Sequence, residues 1–291
     1  KNYKKYMIKS KQTMTNFKVM LAHPVGKKEF DKDSFIQPKL DGVRCYITYH
    51  GAFSRNHKRF MNAQHILDEL RPLFNKYPHV VLDGELYNHD YKDNFNKIIS
   101  LVRKQLPSDA DIEEAKAIQF HNYDIFMPDT PDNSFEYRNE SIKNLHKEFT
   151  LQYCKTVETY QVQNDVTARL MYYQFTTKQG YEGAILRNNK PYEQKRSYNL
   201  QKYKEFHDTE ATIIGWVEGK GKRTGTIGKF LARDADGNEF GMPVMDKMPI
   251  LEEMYNIAEW YIGKTATFTY FQRTPSGSYR HPLFKSIRNY E

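Results

Sequence analysis

Two kinds of apolar periodicity divide the chain into predicted strands and helices. Residues 43–49 alternate apolar and polar side chains, which predicts a half-buried strand. Apolar side chains recur every three or four positions in four other stretches, which predicts amphipathic helices beginning near residues 63, 94, 135 and 166. Because both patterns occur in the same part of the chain, we predict an α+β fold.

The pattern changes after residue 207, where short strands dominate. Residues 209–217 and 266–271 are predicted strands, the pair Asp236-Gly237 marks a hairpin, and a helix is predicted over 249–261. Five short strands with one helix are typical of an OB-fold, a barrel suited to nucleic-acid backbones. We therefore predict two domains, residues 1–206 and residues 207–291, the second being an OB-fold β-barrel.

The size and charge of the chain agree with this division. Its 291 residues are enough for two domains, and 44 Lys and Arg residues against 36 Asp and Glu residues give a net charge of +8. A basic balance of this size suggests a polyanionic partner. The basic residues are interspersed with acidic ones, so a solvated basic surface remains an alternative.

The two cysteines carry little information about chemistry but some about location. Cys45 and Cys154 are far apart and belong to no Cys-x-x-Cys pair, so neither a zinc site nor a disulfide framework is predicted. No apolar run has the length of a membrane span, and the basic start lacks a signal peptide's apolar stretch. The sequence therefore predicts a cytoplasmic protein that is not secreted.

The candidate nucleophile is Lys39, in the stretch QPKLDGVR at residues 37–44. A lysine amine becomes nucleophilic when burial or a nearby cation lowers its pKa, and Arg44 is the cation that the stretch offers. Asp41-Gly42 is a common hairpin signal, which predicts that Lys39 lies at the rim of a turn. A solvated lysine before an ordinary hairpin is the alternative.

Further stretches combine strands with carboxylates or lysines. Residues 80–86 read as a strand that runs into an Asp-Gly turn ending at Glu85, and Glu182 precedes the apolar strand 183–187. Lys202 and Lys204 are two positions apart, so on a strand both would point to one face. Each pattern alone also fits an exposed loop or a solvated strand.

Taken together and in order, these stretches resemble the motifs of the covalent nucleotidyltransferases, which include ATP-dependent DNA ligases, RNA ligases and mRNA capping enzymes. The chain has Lys-x-Asp-Gly-x-Arg at 39–44 and Glu-Gly with three apolar residues and Arg at 182–187. It ends in RHPLFKSIR, residues 280–288, which is similar to the tail motif of ATP-dependent DNA ligases. Within this family the chain resembles the small ligases that viruses and bacteriophages carry.

The resemblance implies a role for each matching residue. Lys39 would carry AMP, and Glu182 would orient the Lys39 side chain for attack. Lys202 and Lys204 would hold the α-phosphate. Nucleotide-binding roles would fall to Gln37, Arg44, Glu85 and Tyr123, with Tyr123 stacking on adenine and the tail residues Arg280 and Arg288 reaching the β- and γ-phosphates. Arg55 would grip the 5′-phosphate of a DNA nick. Glu182 and Glu85 would be the ligands of Mg²⁺, for which Mn²⁺ can substitute.

The same resemblance implies the fold and the reaction. An ATP-grasp-like adenylyltransferase domain with antiparallel sheets would precede the OB-fold. The protein would be a monomer that uses ATP to seal nicked duplex DNA in replication, repair or recombination.

Two other functions stay open at this point. An mRNA capping guanylyltransferase or an RNA ligase shares the lysine motif, although nick-sealing RNA ligases generally lack this tail. A non-catalytic OB-fold protein would hold nucleic acid without chemistry. The intact Lys39, Glu182, Lys202 and Lys204 favour an enzyme.

Overall fold

The fold was taken from a computed structural model, which describes residues 17–25, 32–204, 207–270, 272–274 and 276–288. The chain forms two compact units, one up to Lys204 and one from Glu205. The boundary predicted between residues 206 and 207 adjoins residues 205 and 206, which lie outside the described residues.

The first unit mixes helices with short strands. Its described strands are β1 (Leu21–Pro24), β2 (Ser34–Lys39), β3 (Val43–Thr48), β4 (Gly51–Phe53), β5 (Val81–Tyr87), β6 (Gln119–Phe126), β7 (Cys154–Thr156), β8 (Tyr160–Val162), β9 (Gly183–Arg187) and β10 (Arg196–Tyr203). Its helices are α1 (Gln64–Lys76), α2 (Phe95–Val102), α3 (Asp109–Ala115), α4 (Phe135–Phe149) and α5 (Asp165–Tyr173).

These strands form two five-stranded sheets, with the orders β1-β10-β9-β2-β8 and β4-β3-β5-β6-β7. Neighbouring strands are antiparallel, apart from the pairs β1/β10 and β6/β7. Helices α1, α2 and α4 bury Ile66, Leu70, Ile98 and Ile142 in the same core as Leu82 of β5. The apolar periodicity of these helices thus places their inner faces against the second sheet.

The predicted hairpin at Asp41-Gly42 is wrong. Strand β2 pairs with β8 and β9, whereas β3 pairs with β4 and β5, so the segment connects two different sheets. Gly42 is required by close approach, because a Cβ there would lie 2.4 Å from the carbonyl oxygen of Leu86. Lys39 therefore lies where the chain crosses from one sheet to the other.

The predicted turn at Asp83-Gly84 is also wrong. Strand β5 runs unbroken through both residues, with a register shift between Asp83 and Gly84 in its pairing with β6. A Cβ on Gly84 would lie 2.4 Å from the carbonyl oxygen of His121, so glycine lets β6 pass close. Glu85 is consequently held inside a strand rather than at the end of a loop.

The predicted helices are present, and α3 was missed. Its start carries a capping box between Ser108 and Asp111, but only seven residues follow, too few for a periodic apolar signal. Helix α1 continues through Pro72 to Lys76. In the part of the chain that the structure describes, no helix is both long and apolar enough to cross a membrane.

The second unit contains β11 (His207–Glu218), β12 (Ile227–Arg233), β13 (Glu239–Pro243), α6 (Met248–Asn256), β14 (Thr265–Tyr270), β15 (Gln272–Arg273), β16 (Tyr279–Arg280) and β17 (Leu283–Ile287). Five strands form an antiparallel sheet of order β13-β12-β11-β14-β17, and β15 pairs with β16. Between the described residues of β13 and β17 no strand pairing closes this sheet into a barrel. The mixed α+β class with largely antiparallel sheets is confirmed.

Candidate active site

Lys39 lines a cavity of about 270 Å³ in the first unit. It is the last residue of β2, and β9 pairs along the length of β2 up to Lys39, so rigid backbone fixes its position. The cavity walls bring together most of the predicted site residues of this unit, namely Gln37, Lys39, Arg44, Arg55, Glu85, Tyr123 and Lys202. Motifs up to 165 residues apart therefore meet at one place.

Glu182 connects two of the lysines. Its Oε1 accepts a hydrogen bond from Lys204 Nζ at 2.9 Å, and its Oε2 accepts one from Lys39 Nζ. The side chain is only 4% exposed. Burial alone would raise the pKa of Glu182, but the ammonium groups of Lys39 and Lys204 outweigh it and hold the pKa below its usual value. Glu182 is therefore an ionised anchor that orients the candidate nucleophile.

Arg44, the cation that the sequence offered to Lys39, lines the same cavity but is paired with a carboxylate. The Arg44 guanidinium forms a bidentate pair with Asp83, with distances of 2.8 Å from Nε to Oδ1 and 2.6 Å from Nη2 to Oδ2. Two lysines accompany Lys39: Lys204 shares the Glu182 carboxylate with it, and Lys202 lines the same cavity. Burial lowers the pKa of Lys202, and the charges of Lys204 and Lys39 lower it further, which reflects three ammonium groups close together. Such a cluster suits a polyanionic ligand.

Glu85 and Tyr123 form the polar side of the cavity. The Tyr123 hydroxyl donates to Glu85 Oε2 at 3.3 Å, and the Arg44 guanidinium carbon lies 5.0 Å from the centre of the Tyr123 ring. Burial raises the pKa of Glu85 to about 7, although Arg44 and Lys39 oppose the rise. This carboxyl is thus poised to change its charge near neutral pH.

Gln37 contacts the cavity, yet its amide is bound by the protein. Its Nε2 donates to the Tyr123 carbonyl at 3.2 Å and to Thr159 Oγ1 at 2.9 Å, while its Oε1 accepts from Arg187 Nε at 2.6 Å. Gln37 is 1% exposed. The geometry gives its amide a structural task, holding the Tyr123 backbone.

The sequence reasoning missed the buried ion pairs behind this cavity. Asp124 accepts hydrogen bonds from Arg187 Nη1 at 2.8 Å and from Arg138 Nε at 2.7 Å. Asp124 follows Tyr123 and Arg187 ends the Glu-Gly motif, so both lie in stretches that the sequence had singled out. Arg138 lies within α4 and gives no comparable signal.

Arg55 lines the first cavity and also a second one of about 560 Å³, which shares Arg44 and Glu85 with the first. The two cavities are therefore neighbours. The assignment of Arg55 to a 5′-phosphate stays a prediction.

No set of three or more His, Cys, Asp or Glu side chains is arranged to hold a metal ion among the residues that the structure describes. A metal bound by Glu182 or Glu85 would need most of its ligands from another molecule. This donor set matches Mg²⁺, which usually takes one or two carboxylates and completes its shell with phosphate oxygens and water.

Comparison with known proteins decides the family. A family model of the ATP-dependent DNA ligase domain matches residues 19–204. The chain belongs to the ATP-dependent DNA ligase family. A DNA ligase of African swine fever virus is 32% identical over 212 residues, which cover 68% of this chain and 48% of the viral protein. The DNA ligase of Haemophilus influenzae is 26% identical over 223 residues, 76% of each chain.

A solved structure of a Lig E DNA ligase shares the fold. It superposes with a TM-score of 0.78 at 23% identity, covering 93% of this chain and 99% of that one. This chain spans about half the length of the viral ligases it matches. The family predicted from the motifs is therefore confirmed.

The two tail residues of this ligase-family chain lie in the second unit. Arg280 ends β16, and Arg288 follows β17, where its Nη1 donates to Glu210 Oε2 and its backbone N–H donates to the Thr265 carbonyl at 2.8 Å. The cavity that contains Lys39 lies in the first unit, so the contact of Arg280 and Arg288 with nucleotide phosphates stays a prediction.

Proposed function

We propose that this protein seals nicks in duplex DNA with ATP, through AMP bound to Lys39. The observation that carries the proposal is the position of Lys39, which lies in a cavity beside two further lysines with its ammonium held by the buried Glu182. A nucleophile fixed by an ion pair next to phosphate-binding cations suits nucleotidyl transfer.

In the first step, the Lys39 amine attacks the α-phosphorus of ATP. The Lys39 ammonium first gives one proton to solvent, which frees the lone pair that attacks. A P–N bond forms, the bond to pyrophosphate breaks, and the nitrogen releases a second proton to solvent. Glu182 orients the amine, and Lys202 and Lys204 neutralise the charge that gathers on the phosphate oxygens. In-line attack requires pyrophosphate to leave opposite Lys39, which is the task assigned to Arg280 and Arg288.

The nucleoside occupies the other end of the cavity. Tyr123 stacks on the adenine, while Glu85 and Arg44 face the ribose. Because the Gln37 amide is bound by the protein, we assign it to holding the Tyr123 backbone rather than to reading the base.

Two further steps transfer AMP to DNA and seal the strand. An oxygen of the 5′-phosphate attacks the AMP phosphorus, the P–N bond breaks, and Lys39 regains both protons. The 3′-hydroxyl oxygen then attacks the 5′-phosphorus and AMP leaves as the phosphodiester forms. Arg55, which lines both cavities, holds the 5′-phosphate.

Glu182 and Glu85 would hold Mg²⁺ or Mn²⁺ together with the phosphate oxygens. The ion would neutralise the phosphates and polarise the phosphorus that is attacked.

We assign nucleotidyl transfer to residues 1–206 and an OB-fold to residues 207–291. The five-stranded antiparallel sheet with one α-helix supports the second assignment. We also propose that the enzyme works as a monomer inside the cell.

Incubation with radiolabelled ATP and a divalent cation tests the proposal. The protein should become labelled by ATP but not by GTP, and the bond should be labile in acid and stable in base. Lys39→Ala should abolish labelling, whereas Lys143→Ala, which removes an exposed lysine of α4, should not. Labelling by GTP alone would indicate a capping enzyme, and full labelling of Lys39→Ala would refute the assignment.

A further inference from the structure

The larger cavity of the first unit has five basic side chains in its wall. Besides the shared Arg44 and Arg55, it contains Lys58, Arg59 and Arg103, and its acidic residue is Glu85. Among the described residues, Arg55, Lys58, Arg59 and Arg103 form no ion pair with a carboxylate. A concentration of exposed positive charge of this kind favours an anionic ligand.

A short, rigid loop carries two of these cations, Arg55 and Lys58. The Ser54 N–H donates to the Lys58 carbonyl at 2.8 Å, and the Lys58 N–H donates to Ser54 Oγ at 3.1 Å, which closes residues 54–58 into a compact turn. His57 adopts a left-handed backbone with φ of 62°, and its Nδ1 is 2.8 Å from the Tyr46 hydroxyl. The contact with Tyr46 of β3 holds the loop against the sheet. The backbone that carries its cationic side chains is therefore fixed before a ligand binds.

Arg59 and Arg103 come from different elements. Arg59 follows the loop, and the absence of a side chain on Gly51 leaves room for its guanidinium, since a Cβ there would lie 3.3 Å from Arg59 Nε. Arg103 directly follows α2. Two guanidinium groups on separate rigid supports can bind one phosphate from two directions.

We propose that this cavity binds an internucleotide phosphate of the strand that bears the 5′-phosphate, with Arg59 and Arg103 as its ligands. The inference rests on the proposed ligase function. If Arg55 holds the 5′-phosphate where the cavities meet, the same strand continues into the larger cavity. The volume of the larger cavity, about 560 Å³, is in the range of pockets that bind small molecules.

Neutral linkages in the DNA test this assignment. Nicked duplexes would carry a single methylphosphonate at the first, second or third linkage from the 5′-phosphate, and equilibrium binding would be measured over a series of salt concentrations. One linkage should weaken binding by the unmodified protein on the order of tenfold. On unmodified DNA, Arg59→Ala and Arg103→Ala should bind about tenfold more weakly than the unmodified protein. A methylphosphonate at the sensitive linkage should weaken binding by these variants little further. Their salt slope should fall by about 0.9 for each lost phosphate contact.

Lys143→Ala is the matched control, because it removes one positive charge outside both cavities and should leave binding unchanged. Thermal unfolding checks that each arginine variant is folded. If every methylphosphonate weakened binding by the variants as much as it weakens binding by the unmodified protein, the arginines would not contact those phosphates and the assignment would be overturned. Normal binding by Arg103→Ala would overturn it too. If the unmodified protein is not labelled by ATP, the proposed function fails, whereas the methylphosphonate comparison still reports on the cavity.

Discussion

Glu85 offers a test of the cavity at the level of one residue. Its ordinary pKa is 4.5, and burial raises the pKa to about 7 in the folded protein. Below about pH 4.5 the carboxyl is protonated in the folded and unfolded states alike. Between about pH 4.5 and 7 the unfolded chain ionises first, so this residue's contribution to stability is lost as pH rises.

Glu85→Gln removes that dependence. The melting temperature of the variant relative to the unmodified protein should be higher at about pH 8 than at about pH 4.5. Thermal unfolding of both proteins at the two pH values measures this difference. An equal difference at both pH values would show that Glu85 has the same pKa in the folded and unfolded protein, and that burial does not raise it.

Residues within a motif were predictable from the sequence, but their partners were not. Lys39, Glu182 and Lys204 meet as the motif order suggested, because each lies at or next to a strand end. The pairing of Arg44 with Asp83 was missed, since an arginine beside a candidate lysine gives no indication of a carboxylate on the neighbouring strand. Local sequence indicates the type of side chain, whereas strand pairing selects its partner.

At the scale of elements, Asp124 joins β6, α4 and β9. The side chains of Arg138 and Arg187 that it binds are only 4% and 5% exposed. Asp124→Asn keeps the shape but leaves both guanidinium groups buried without their carboxylate. Breaking a buried pair in this way costs about 3–5 kcal/mol.

Urea unfolding measures that cost. Asp68→Asn is the control, because Asp68 pairs with Arg71 on the exposed side of α1, where a surface pair contributes about 1 kcal/mol or less. Equal losses for the two variants would mean that the Asp124 pairs do not hold the three elements together.

Helices were easier to predict than the links between strands. An apolar stripe is a local property, and Ile66 and Leu70 of α1 are buried as that stripe requires. Asp41-Gly42 and Asp83-Gly84 are local signals too, but a hairpin also needs the flanking strands to pair. Here the two glycines serve close backbone contacts instead.

At the scale of the whole molecule, the change to a pattern of short strands after residue 207 predicted a second domain. The chain from residue 205 onward forms one compact unit with a five-stranded sheet and an α-helix, and the predicted domain bounds stay a prediction. Closure of that sheet into a barrel depends on contacts between strands distant in sequence, which alternation within one strand does not encode.

Arg280 belongs to one unit and Lys39 to the other, so a joint role requires both units to contact the same nucleotide, and we predict that the second unit closes over it. With ATP bound, Arg280 would contact the β- and γ-phosphates and orient pyrophosphate opposite Lys39. The predicted hinge, near residues 205–208, falls partly outside the described residues. After AMP is attached to Lys39, no such phosphates remain for Arg280 to hold, and the unit is expected to open for DNA.

Arg280→Ala should therefore lose most labelling of Lys39 by ATP but still seal a nick supplied with AMP already on its 5′-phosphate. Single-turnover assays of the two steps separate these outcomes. Arg288→Ala should show a weaker form of the same defect, because Arg288 also pairs with Glu210. Lys143→Ala should complete both steps. If Arg280→Ala were labelled normally and failed on the pre-adenylylated nick, Arg280 would belong to the DNA interface and closure over ATP would not depend on it.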